Sequence, residues 1–319
     1  MGEHVNVDNF VVAETARMFA ALQAAAGGVN TFRHNSEPAP IDEQAVVRLN
    51  RDTLYSFAIA DISAGATLTL PDAGDRYMSA MIVNESHLIN RIFHTAGSFE
   101  LTPEEFGSPH VLIAVRILAD PDDEADLAVV GDLQKGISVE ARSSAPFVLA
   151  EYDAESLEET RGALLTLAKG VGGYRGMFGT AEEIIPVRHL IGTASGWGGL
   201  PESEAVYVGV DTALPPGSYT MTMRDAPVDA FWSISVYNAE GYFEPNAAGR
   251  YTINSITAEK APDGSVTVRF VDDPDTRTPN AIPVPPGWNL LVRLYRPKAA
   301  YFDGTWTVPL ITADLPRTP

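Results

Sequence analysis

Short β-rich segments separated by glycine, proline and aspartate dominate this sequence. From Thr53 onward the first half contains the runs TLYSFAIA, ATLTL, RYMSAMIV, HLINRIF and VLIAVRIL. Short strands at this close spacing, interrupted by turn residues, are typical of antiparallel sandwiches and barrels. We therefore expect the first half of the chain to form a β-sandwich.

The second half shows a cleaner alternation of apolar and polar residues. It appears in AFWSISVY (residues 230–237), SVTVRF (265–270) and NLLVRLYR (289–296). Successive side chains of a strand point to opposite faces, so each segment has one apolar and one more polar face. In the last segment Arg293 and Tyr295 share the polar face. We predict a second antiparallel sandwich whose strands are buried on one side.

Helices are predicted at two places. Residues 8–26 carry an apolar stripe and end at Gly27, and residues 156–169 begin with Ser156 and Glu159 in the spacing of a capping box. The acidic stretch DPDDEAD, within residues 119–135, is interpreted as a solvated loop. A further short helix is expected in AEEIIPVRHLI, inside a glycine-rich region.

These elements predict a mainly β chain with three parts. Residues 1–150 hold the N-terminal helix and a β-sandwich, residues 151–205 form a helical connector, and residues 206–319 form a C-terminal β-sandwich. Both sandwiches are predicted to be antiparallel.

The charge balance and the absence of cysteine exclude several functions. The 319 residues include 42 acidic and 22 Lys and Arg residues, for a formal charge of −20. Such a field repels phosphate backbones and anionic membranes, so we expect neither a nucleic-acid nor a membrane partner. Without cysteine there is no disulfide, thiolate metal site or cysteine nucleophile. No signal peptide or long apolar run is visible, so a cytoplasmic location is expected.

Several motifs resemble two known families. The run Asn50–Ser56 (NRDTLYS), with residues 5–10 and His34 before it, is similar to the domain of unknown function 1254. The partner family, domain of unknown function 1214, is resembled by a set of downstream residues: 231–237, Asn246, 250–251, 263–265, 294–297 and 303–306. The resemblance covers approximately residues 5–140 and 205–312 and implies two jelly-roll-like sandwiches bridged by helices. One departure is that Asn280 is followed by AIPVP, where the family often has a tryptophan.

The NRDTLYS run is the main candidate site. On a strand, Arg51 and Tyr55 would project to the same side, where the guanidinium could hold an anion and the phenol could transfer a proton. With Asp52, and with His34 as a proton carrier, they form the predicted catalytic set. The alternative is that Arg51 and Asp52 make a buried structural network that satisfies loop backbone.

A second set of residues is predicted to bind the substrate. Arg293 and Tyr295 repeat the guanidinium and phenol pairing, and Asn50 and Trp232 complete the set. The alternative is cross-strand packing of arginine on aromatic rings, which stabilises a sheet without any ligand.

Histidines suggest a metal site as a further alternative. Glu85 and His87, two apart on a strand, would share a face, and His94 would join them across a turn, which gives ligands for zinc or iron. No His-x-His pair occurs, and isolated histidines are also common as solvated or core residues. We therefore predict no cofactor and retain a divalent metal only as a variant.

Common enzyme signatures are absent from the sequence. It has no Gly-x-Ser-x-Gly elbow, no phosphate-binding loop and no His-Glu-x-x-His helix. The prediction is a small-molecule enzyme of the hydrolase or lyase class with an Arg, Tyr and Asp pocket. One alternative is a non-catalytic sandwich that binds a carbohydrate or a partner protein through its tryptophans, and the other is a metal-dependent enzyme. Whether the chain is an enzyme and whether it forms a homo-oligomer both stay open.

Overall fold

The chain divides into two compact units. The computed structural model describes residues 2–44 and 47–314. Unit 1 consists of Met1–Glu37 and Thr53–Glu202, and unit 2 of Pro38–Asp52 and Ser203–Pro319. The predicted N-terminal domain of residues 1–150 therefore contains a short segment, residues 38–52, that packs with the C-terminal unit.

Unit 1 is a sandwich of two sheets with helices. Its strands are β1 (Arg33–His34), β2 (Thr53–Asp61), β3 (Ala66–Leu70), β4 (Met78–Asn84), β5 (Ile89–Phe93), β6 (Gly97–Leu101), β7 (His110–Leu118) and β8 (Ser138–Ala141). Its helices are α1 (Phe10–Ala26), α2 (Pro103–Phe106), α3 (Glu124–Lys135), α4 (Ala154–Ala168) and α5 (Pro186–Gly196). A five-stranded sheet has the order β1-β2-β7-β4-β5, and a three-stranded sheet has the order β6-β3-β8.

The central strand β7 is buried on both faces. Ile113 and Val115 belong to the core that also contains Leu68 of β3 and Leu101 of β6, so this core lies between the two sheets. The alternate residues of β7 include Arg116, which is also buried. Helix α1 packs against β2 and against the helices α4 and α5. The large sheet is therefore apolar toward the sandwich core and partly polar on its other face.

The first and fourth helices are where the sequence predicted them. Helix α1 ends at Gly27, whose φ of 83° is the left-handed conformation that glycine adopts readily. The predicted capping box of α4 is wrong, because the N-cap is Asp153, whose side chain accepts a bond from the Ser156 N–H at 2.9 Å. Ser156 lies in the first turn, and its hydroxyl accepts a bond from the Val5 N–H at 3.0 Å.

The acidic stretch is wrong as a pure loop, because it starts a helix. Asp123 caps α3 by accepting a bond from the Ala125 N–H at 2.9 Å, and Asp126 in the first turn pairs with Arg76. Negative charge in a first turn is favourable next to the helix N-terminus. Val130 and Gln134 are buried. The charges that suggested a solvated loop are therefore the start signal of an amphipathic helix.

Unit 2 is a sandwich of two four-stranded sheets. Its strands are β9 (Ala205–Asp211), β10 (Tyr219–Met223), β11 (Trp232–Tyr237), β12 (Thr252–Asn254), β13 (Val266–Val271), β14 (Ala281–Pro283), β15 (Asn289–Tyr295) and β16 (Thr312–Ala313), and a short helix, α6 (Ala299–Phe302), follows β15. The sheets have the orders β14-β13-β10-β16 and β12-β11-β15-β9. The β13–β14 pair is parallel, and the other strand pairs are antiparallel.

Strands β11 and β15 differ from the prediction in being buried on both faces. Ile234 and Val292 are paired in register and lie in the core between the two sheets. The opposite face is covered as well, because Ile41 and Leu49 of residues 38–52 pack against Tyr237 and its apolar neighbours. One-sided burial is therefore wrong for these two strands. It holds for β13, where buried and half-buried residues alternate.

The mainly β, two-sandwich fold class is confirmed. The jelly-roll connection of the strands stays a prediction. No helix within residues 2–44 and 47–314 is long and apolar enough to cross a membrane.

Candidate functional site

The four predicted catalytic residues are divided between the two units. Arg51 and Asp52 end the segment that belongs to unit 2, while His34 and Tyr55 belong to unit 1. Strand β2 begins only at Thr53. The alternation used to place Arg51 beside Tyr55 therefore applies to Tyr55 but not to Arg51.

Arg51 contacts groups of its own unit. Its Nη1 donates a hydrogen bond to the carbonyl oxygen of Ala39, and its Cζ lies 5.8 Å from the ring centroid of Tyr251. These contacts connect the two ends of residues 38–52 and place the guanidinium on an aromatic ring. They correspond to the structural alternative considered for this residue.

Tyr55 is paired with another arginine. It lies opposite Arg116 on β7, and the Arg116 Cζ is 5.3 Å from the Tyr55 ring centroid. The Arg116 Nη2 donates to the carbonyl oxygen of Gly198 at 2.8 Å. A guanidinium and a phenol thus lie together in unit 1, but the arginine is one that the sequence analysis missed. Its signal was a lone charge inside the apolar run VLIAVRIL.

His34 is a half-buried neighbour of β2. Its Nδ1 lies 2.8 Å from the hydroxyl of Ser56, and its ring stacks on Phe32 with centroids 5.8 Å apart. Burial lowers the pKa of His34 below its usual value. The imidazole is therefore neutral at pH 7.

A group of buried polar side chains lies in unit 2, on the face of β11 and β15 that points away from the sandwich core. We call it the Arg293 cluster, and it consists of Asp52, Ser233, Ser235, Tyr237, Thr252 and Arg293. Strand register places Ser233 opposite Arg293, and Ser235 opposite Thr252. The cluster therefore results from strand alternation together with the segment that ends at Asp52.

Arg293 is the centre of this cluster and is only 2% exposed. Its Nη2 donates to the Tyr237 hydroxyl at 2.7 Å and to the carbonyl oxygens of Arg48 and Leu49 at 2.9 and 3.3 Å. Burial by itself lowers the pKa of Arg293, but the neighbouring Tyr237, Tyr295 and Asp52 raise it above its ordinary value. The guanidinium therefore stays charged although it is buried.

Tyr237 is a protonated hydrogen-bond donor in the same cluster. Its hydroxyl donates to the Leu49 carbonyl oxygen at 2.8 Å. Burial raises the pKa of this phenol, and the net shift is upward although Arg293 acts in the opposite direction. The phenol is therefore neutral across the physiological range.

A chain of three hydrogen bonds connects Arg293 to Asp52. Arg293 Nη1 donates to the Ser235 hydroxyl at 2.7 Å, and Ser235 donates to the Thr252 hydroxyl at 3.2 Å. Thr252 donates to Asp52 Oδ1 at 3.2 Å. Every donor points from the cation toward the carboxylate, so two hydroxyls stand between the opposite charges.

Two buried atoms of the cluster make no hydrogen bond. They are Oδ2 of Asp52 and the hydroxyl oxygen of Ser233, and both residues are 0% exposed. Leaving a buried polar group unpaired costs about 1–3 kcal/mol, and more for a charged group. Such a group in a native structure needs an explanation, and a catalytic role is one of the recognised explanations. The cluster is therefore our candidate functional site.

Three of the four predicted substrate-binding residues lie at this cluster. Asn50 Nδ2 donates to the Tyr295 hydroxyl at 2.9 Å, and its Oδ1 accepts a bond from the Asp52 N–H at 2.9 Å. Arg293 is the centre. Trp232 lies instead in the core between the sheets, because its position on β11 alternates with that of Ser233. No substrate-binding role for it follows from this placement.

The predicted metal ligands do not form a metal site. Glu85 and His87 lie in the turn after β4, not on a strand. His87 Nδ1 is 2.8 Å from the Thr193 hydroxyl, and its Nε2 accepts a bond from the Gly198 N–H at 3.0 Å. Burial, with a contribution from His189, holds the pKa of His87 well below its usual value. Both ring nitrogens therefore serve the fold of unit 1.

Glu85 and His94, the other two residues considered as metal ligands, also have protein partners. Glu85 Oε1 accepts a bond from the His110 N–H at 3.1 Å, and His94 Nδ1 lies 3.2 Å from the carbonyl oxygen of Met78. Within residues 2–44 and 47–314, no group of three or more His, Asp or Glu side chains is arranged to hold a metal ion. The proposed set of Glu85, His87 and His94 is thus wrong as a single site.

The sequence analysis missed most of the hydroxyl groups of the Arg293 cluster. Ser233 and Ser235 were interpreted as the polar side of a strand buried on one face. The signal that could have found them is their position between large apolar residues in AFWSISVY, next to the equally apolar NLLVRLYR. Serines on a strand buried on both faces need partners, which directs attention to that face.

The fold resembles solved structures from two bacteria. The VPA0106 protein of Vibrio parahaemolyticus aligns with a TM-score of 0.74 and 18% identity, covering 96% of this chain and 97% of that one. An uncharacterised protein of Burkholderia cenocepacia aligns with a TM-score of 0.52 and 11% identity, covering 95% and 87%. Both likenesses support the fold alone. A comparison with curated proteins found no match.

Two family models match the chain. Residues 29–89 match a protein of unknown function, DUF1254, and residues 212–299 match a protein of unknown function, DUF1214. The first match contains NRDTLYS, and the second contains Ser233, Ser235, Thr252 and Arg293. The chain therefore matches DUF1254 in its N-terminal part and DUF1214 in its C-terminal part, as its motifs predicted.

Proposed function

We propose that the protein is a small-molecule enzyme of the hydrolase or lyase class, with its substrate bound at the Arg293 cluster and Asp52 as the general base. The observation that carries the proposal is the buried Oδ2 of Asp52, which has no hydrogen-bond donor. A carboxylate away from water and with a free lone pair is suited to accept a proton from a water molecule or from a substrate.

Arg293 supplies the second part of the proposed chemistry. Its charge is fixed by protein oxygens and is separated from Asp52 by two hydroxyls. A preorganised positive charge stabilises negative charge that develops on a substrate, and it needs no reorganisation during the reaction. Removal of a proton by Asp52 creates such negative charge, so the two residues act on the same step.

Arg51 is a positioning residue in this proposal. Its bond to the Ala39 carbonyl oxygen connects the ends of the segment that carries Asp52. Anion binding by Arg51 remains a separate prediction, and so does proton transfer by Tyr55 or His34. The contacts of these residues neither require nor support either role.

The test compares Asp52→Asn with Asp303→Asn. Asp303 is an exposed carboxylate of unit 2 that accepts bonds from Thr305, so its variant makes the same chemical change outside the cluster. A diverse collection of small molecules is screened by thermal shift, since a ligand at 100 times its Kd stabilises the folded state by about 2.7 kcal/mol. Each hit is then incubated with the protein, and products are measured by mass spectrometry.

We expect hits that stabilise the native chain and Asp303→Asn but not Asp52→Asn, and at least one of them to be converted to product. Circular dichroism confirms that both variants are folded. Hits that stabilise Asp52→Asn as strongly as the native chain would show that the cluster is not the site.

A binding protein without catalytic activity is the second candidate. It is favoured by the extent to which the guanidinium groups of Arg293 and Arg51 are already bonded to protein oxygens. Trp232 and Trp288 do not add to it, since they are only 5% and 1% exposed. Hits that depend on Asp52 but give no product would identify this second function.

A further inference from the structure

Arg48 is held in an uncommon backbone conformation. Its φ is 56°, in the left-handed region that few residues other than glycine adopt, and such a conformation persists where the surroundings fix it. The N–H of Arg48 donates to the carbonyl oxygen of Gly241 at 2.8 Å, and its own carbonyl oxygen accepts a bond from Arg293 at 2.9 Å. The main chain of Arg48 is therefore fixed on both sides of its Cα.

The side chain of Arg48 lies against two glycines of unit 2. A Cβ added at Gly209, inside β9, would lie 2.9 Å from Nη1 and 3.9 Å from Cζ of Arg48. A Cβ added at Gly241 would lie 3.7 Å from Cγ of Arg48. Glycine inside a strand often marks a place that another group approaches closely. The guanidinium thus occupies the space that a side chain of β9 would otherwise fill.

This fixed guanidinium has no acidic partner in residues 2–44 and 47–314. Its Nη2 donates to Asn289 Oδ1 at a long 3.4 Å, and no carboxylate of those residues forms an ion pair with it. The exposed Arg224 of the same unit, by contrast, lies 2.8 Å from a carboxylate oxygen of Asp263. Most N–H donors of the Arg48 side chain are therefore available to an anion.

The guanidinium can also be reached from solution. Arg48 is half-buried, while Gly209, against which it lies, is exposed. An arginine that is fixed in place, half-buried and without a counter-ion is suited to bind an anion from solution, because its planar fork bonds to two oxygens at once.

The surroundings indicate the class of anion. Asp211 is exposed and shares a face of β9 with Gly209, and the whole chain carries a formal charge of −20, so further negative charge is opposed. A carboxylate with its single charge therefore fits better than a phosphate group with nearly two. Tyr207, on the same face of β9, is half-buried and packs against the apolar cluster around Tyr237. An apolar body would find a partner on that side.

We propose that Arg48 binds the carboxylate of a small organic acid with an apolar body, at the surface of unit 2. The guanidinium bonds to both carboxylate oxygens, and the apolar body lies on the side of Tyr207. Gly209 makes room for the guanidinium, and Arg293 is a positioning residue that holds the Arg48 carbonyl oxygen. The site does not depend on the proposed reaction, because the side chain of Arg48 contacts Asn289, Gly209 and Gly241.

The experiment uses benzoate as the probe on the full chain. Benzoate joins a carboxylate to an apolar ring, benzamide is its uncharged counterpart, and inorganic phosphate is added as a competitor. Binding is measured by ligand-observed NMR at low ionic strength, since salt screens exposed charges.

Three variants and one control are compared with the native chain. Arg48→Gln removes the charge, Arg48→Lys keeps the charge without the planar fork, and Gly209→Ala fills the space of the guanidinium. The control is Arg224→Gln, which removes the charge of an arginine that already has a carboxylate partner. Circular dichroism and thermal unfolding show whether each variant is folded.

We expect benzoate to bind equally to the native chain and to Arg224→Gln, with benzamide at least tenfold weaker and with little competition by phosphate. Arg48→Gln should weaken benzoate at least tenfold, and Arg48→Lys and Gly209→Ala about threefold to tenfold. Gly209→Ala should keep a melting temperature close to the native one, because the atom that it displaces is the end of a flexible side chain. If Arg48→Gln does not fold, the other two variants decide.

Four results would overturn the inference: equal binding of benzoate to the native chain and to the folded Arg48 variants, binding of benzamide as tight as that of benzoate, tighter binding of phosphate, or no measurable binding of benzoate. None of them bears on the proposed function, whose test depends on Asp52→Asn and on a different collection of ligands.

Discussion

Ser233 and Ser235 are two residues apart on β11 and both 0% exposed, yet they differ in their partners. Ser235 bonds to Arg293 and Thr252, whereas the Ser233 hydroxyl bonds to nothing. Removing an unpaired buried hydroxyl removes a desolvation penalty, while removing a bonded one leaves its partners unpaired. Ser233→Ala should therefore raise the free energy of unfolding by about 1 kcal/mol, and Ser235→Ala should lower it by about 1–3 kcal/mol.

Urea denaturation followed by fluorescence measures both changes, and each variant is the matched control of the other. Equal destabilisation by the two substitutions would contradict the assignment of Ser233 as unpaired. A more stable Ser233→Ala that also binds its ligand more weakly is the result expected of a functional residue, because sites of function are often kept at the expense of stability.

Predictions about single residues succeeded where they depended on residues close in the sequence. They failed where the partner lies far away in the sequence. Gly27 ends α1 as predicted, because the left-handed conformation is a local preference. For Arg51, the structural alternative of a bond to loop backbone agrees with its bond to the Ala39 carbonyl oxygen. The partner of Asp52 could not be predicted, since Thr252 is 200 positions away from it.

At the scale of elements, the end of β2 is held by a carboxylate. Asp61 Oδ1 accepts bonds from the Ser63 N–H at 3.0 Å and hydroxyl at 2.6 Å, and Oδ2 accepts one from the Ala145 N–H at 2.7 Å. Burial raises the pKa of Asp61, but these bonds outweigh it and lower the pKa from 3.8 to about 2. The carboxylate thus connects β2 to the chain that follows β8.

This shift predicts a loss of stability in acid. Because the pKa is lower in the folded state, Asp61 stabilises the fold above pH 3.8, and the contribution disappears as the pH falls toward 2. At 1.36 kcal/mol per unit, it is worth about 2 kcal/mol at neutral pH. Asp61→Asn should lower the free energy of unfolding by that amount at pH 6 and by much less at pH 2.

Denaturation curves at several pH values measure the effect. Asp72→Asn, at an exposed carboxylate of unit 1, is the control and should keep the native pH profile. A constant difference between Asp61→Asn and the native chain from pH 6 to pH 2 would show that the three bonds do not depend on ionisation.

The chain after α5 turns at a glycine that has no room for a side chain. A Cβ at Gly199 would overlap the ring of Phe178, which is 3% exposed. By contrast, a Cβ at Gly162 on the exposed side of α4 would have no atom within 4 Å. Gly199→Ala should therefore lower the free energy of unfolding by about 1–3 kcal/mol through overpacking. Gly162→Ala should raise it by about 0.5–1 kcal/mol through helix propensity.

Thermal unfolding followed by circular dichroism distinguishes the two substitutions by the sign of the change. A native-like melting temperature for Gly199→Ala would mean that the Phe178 ring moves aside at little cost.

The elements themselves were largely predictable, because periodicity reflects burial directly. The five β-rich runs of the first half all became strands. Two predictions failed for a common reason: a residue's surroundings depend on other parts of the chain. The acidic start of α3 was interpreted without the Arg76 that pairs with Asp126, and β11 was interpreted without the segment that covers its second face.

At the scale of the whole molecule, the formal charge of −20 opposes the folded state. Raising the salt from about 10 mM to about 150 mM shortens the Debye length from about 30 to about 8 Å and so weakens this repulsion. We expect the melting temperature at pH 7 to rise by about 1–2 °C, which corresponds to roughly 1 kcal/mol for a chain of 319 residues.

Scanning calorimetry in sodium chloride measures this shift. The control is the same titration near pH 4.6, the isoelectric point of the sequence, where the net charge is close to zero and salt should have little effect. A melting temperature at pH 7 that is unchanged or lower in salt would show that repulsion between like charges does not limit stability.

Residues 38–52 belong to unit 2 although the chain around them belongs to unit 1. During synthesis this segment leaves the ribosome long before the strands it completes, so a nascent chain that ends near residue 202 carries Asp52 without Thr252 or Arg293. Unit 2 can assemble its buried charges only after residue 293 has been translated. A gene cut at the boundary near residue 203 would likewise express a C-terminal fragment that lacks its own carboxylate.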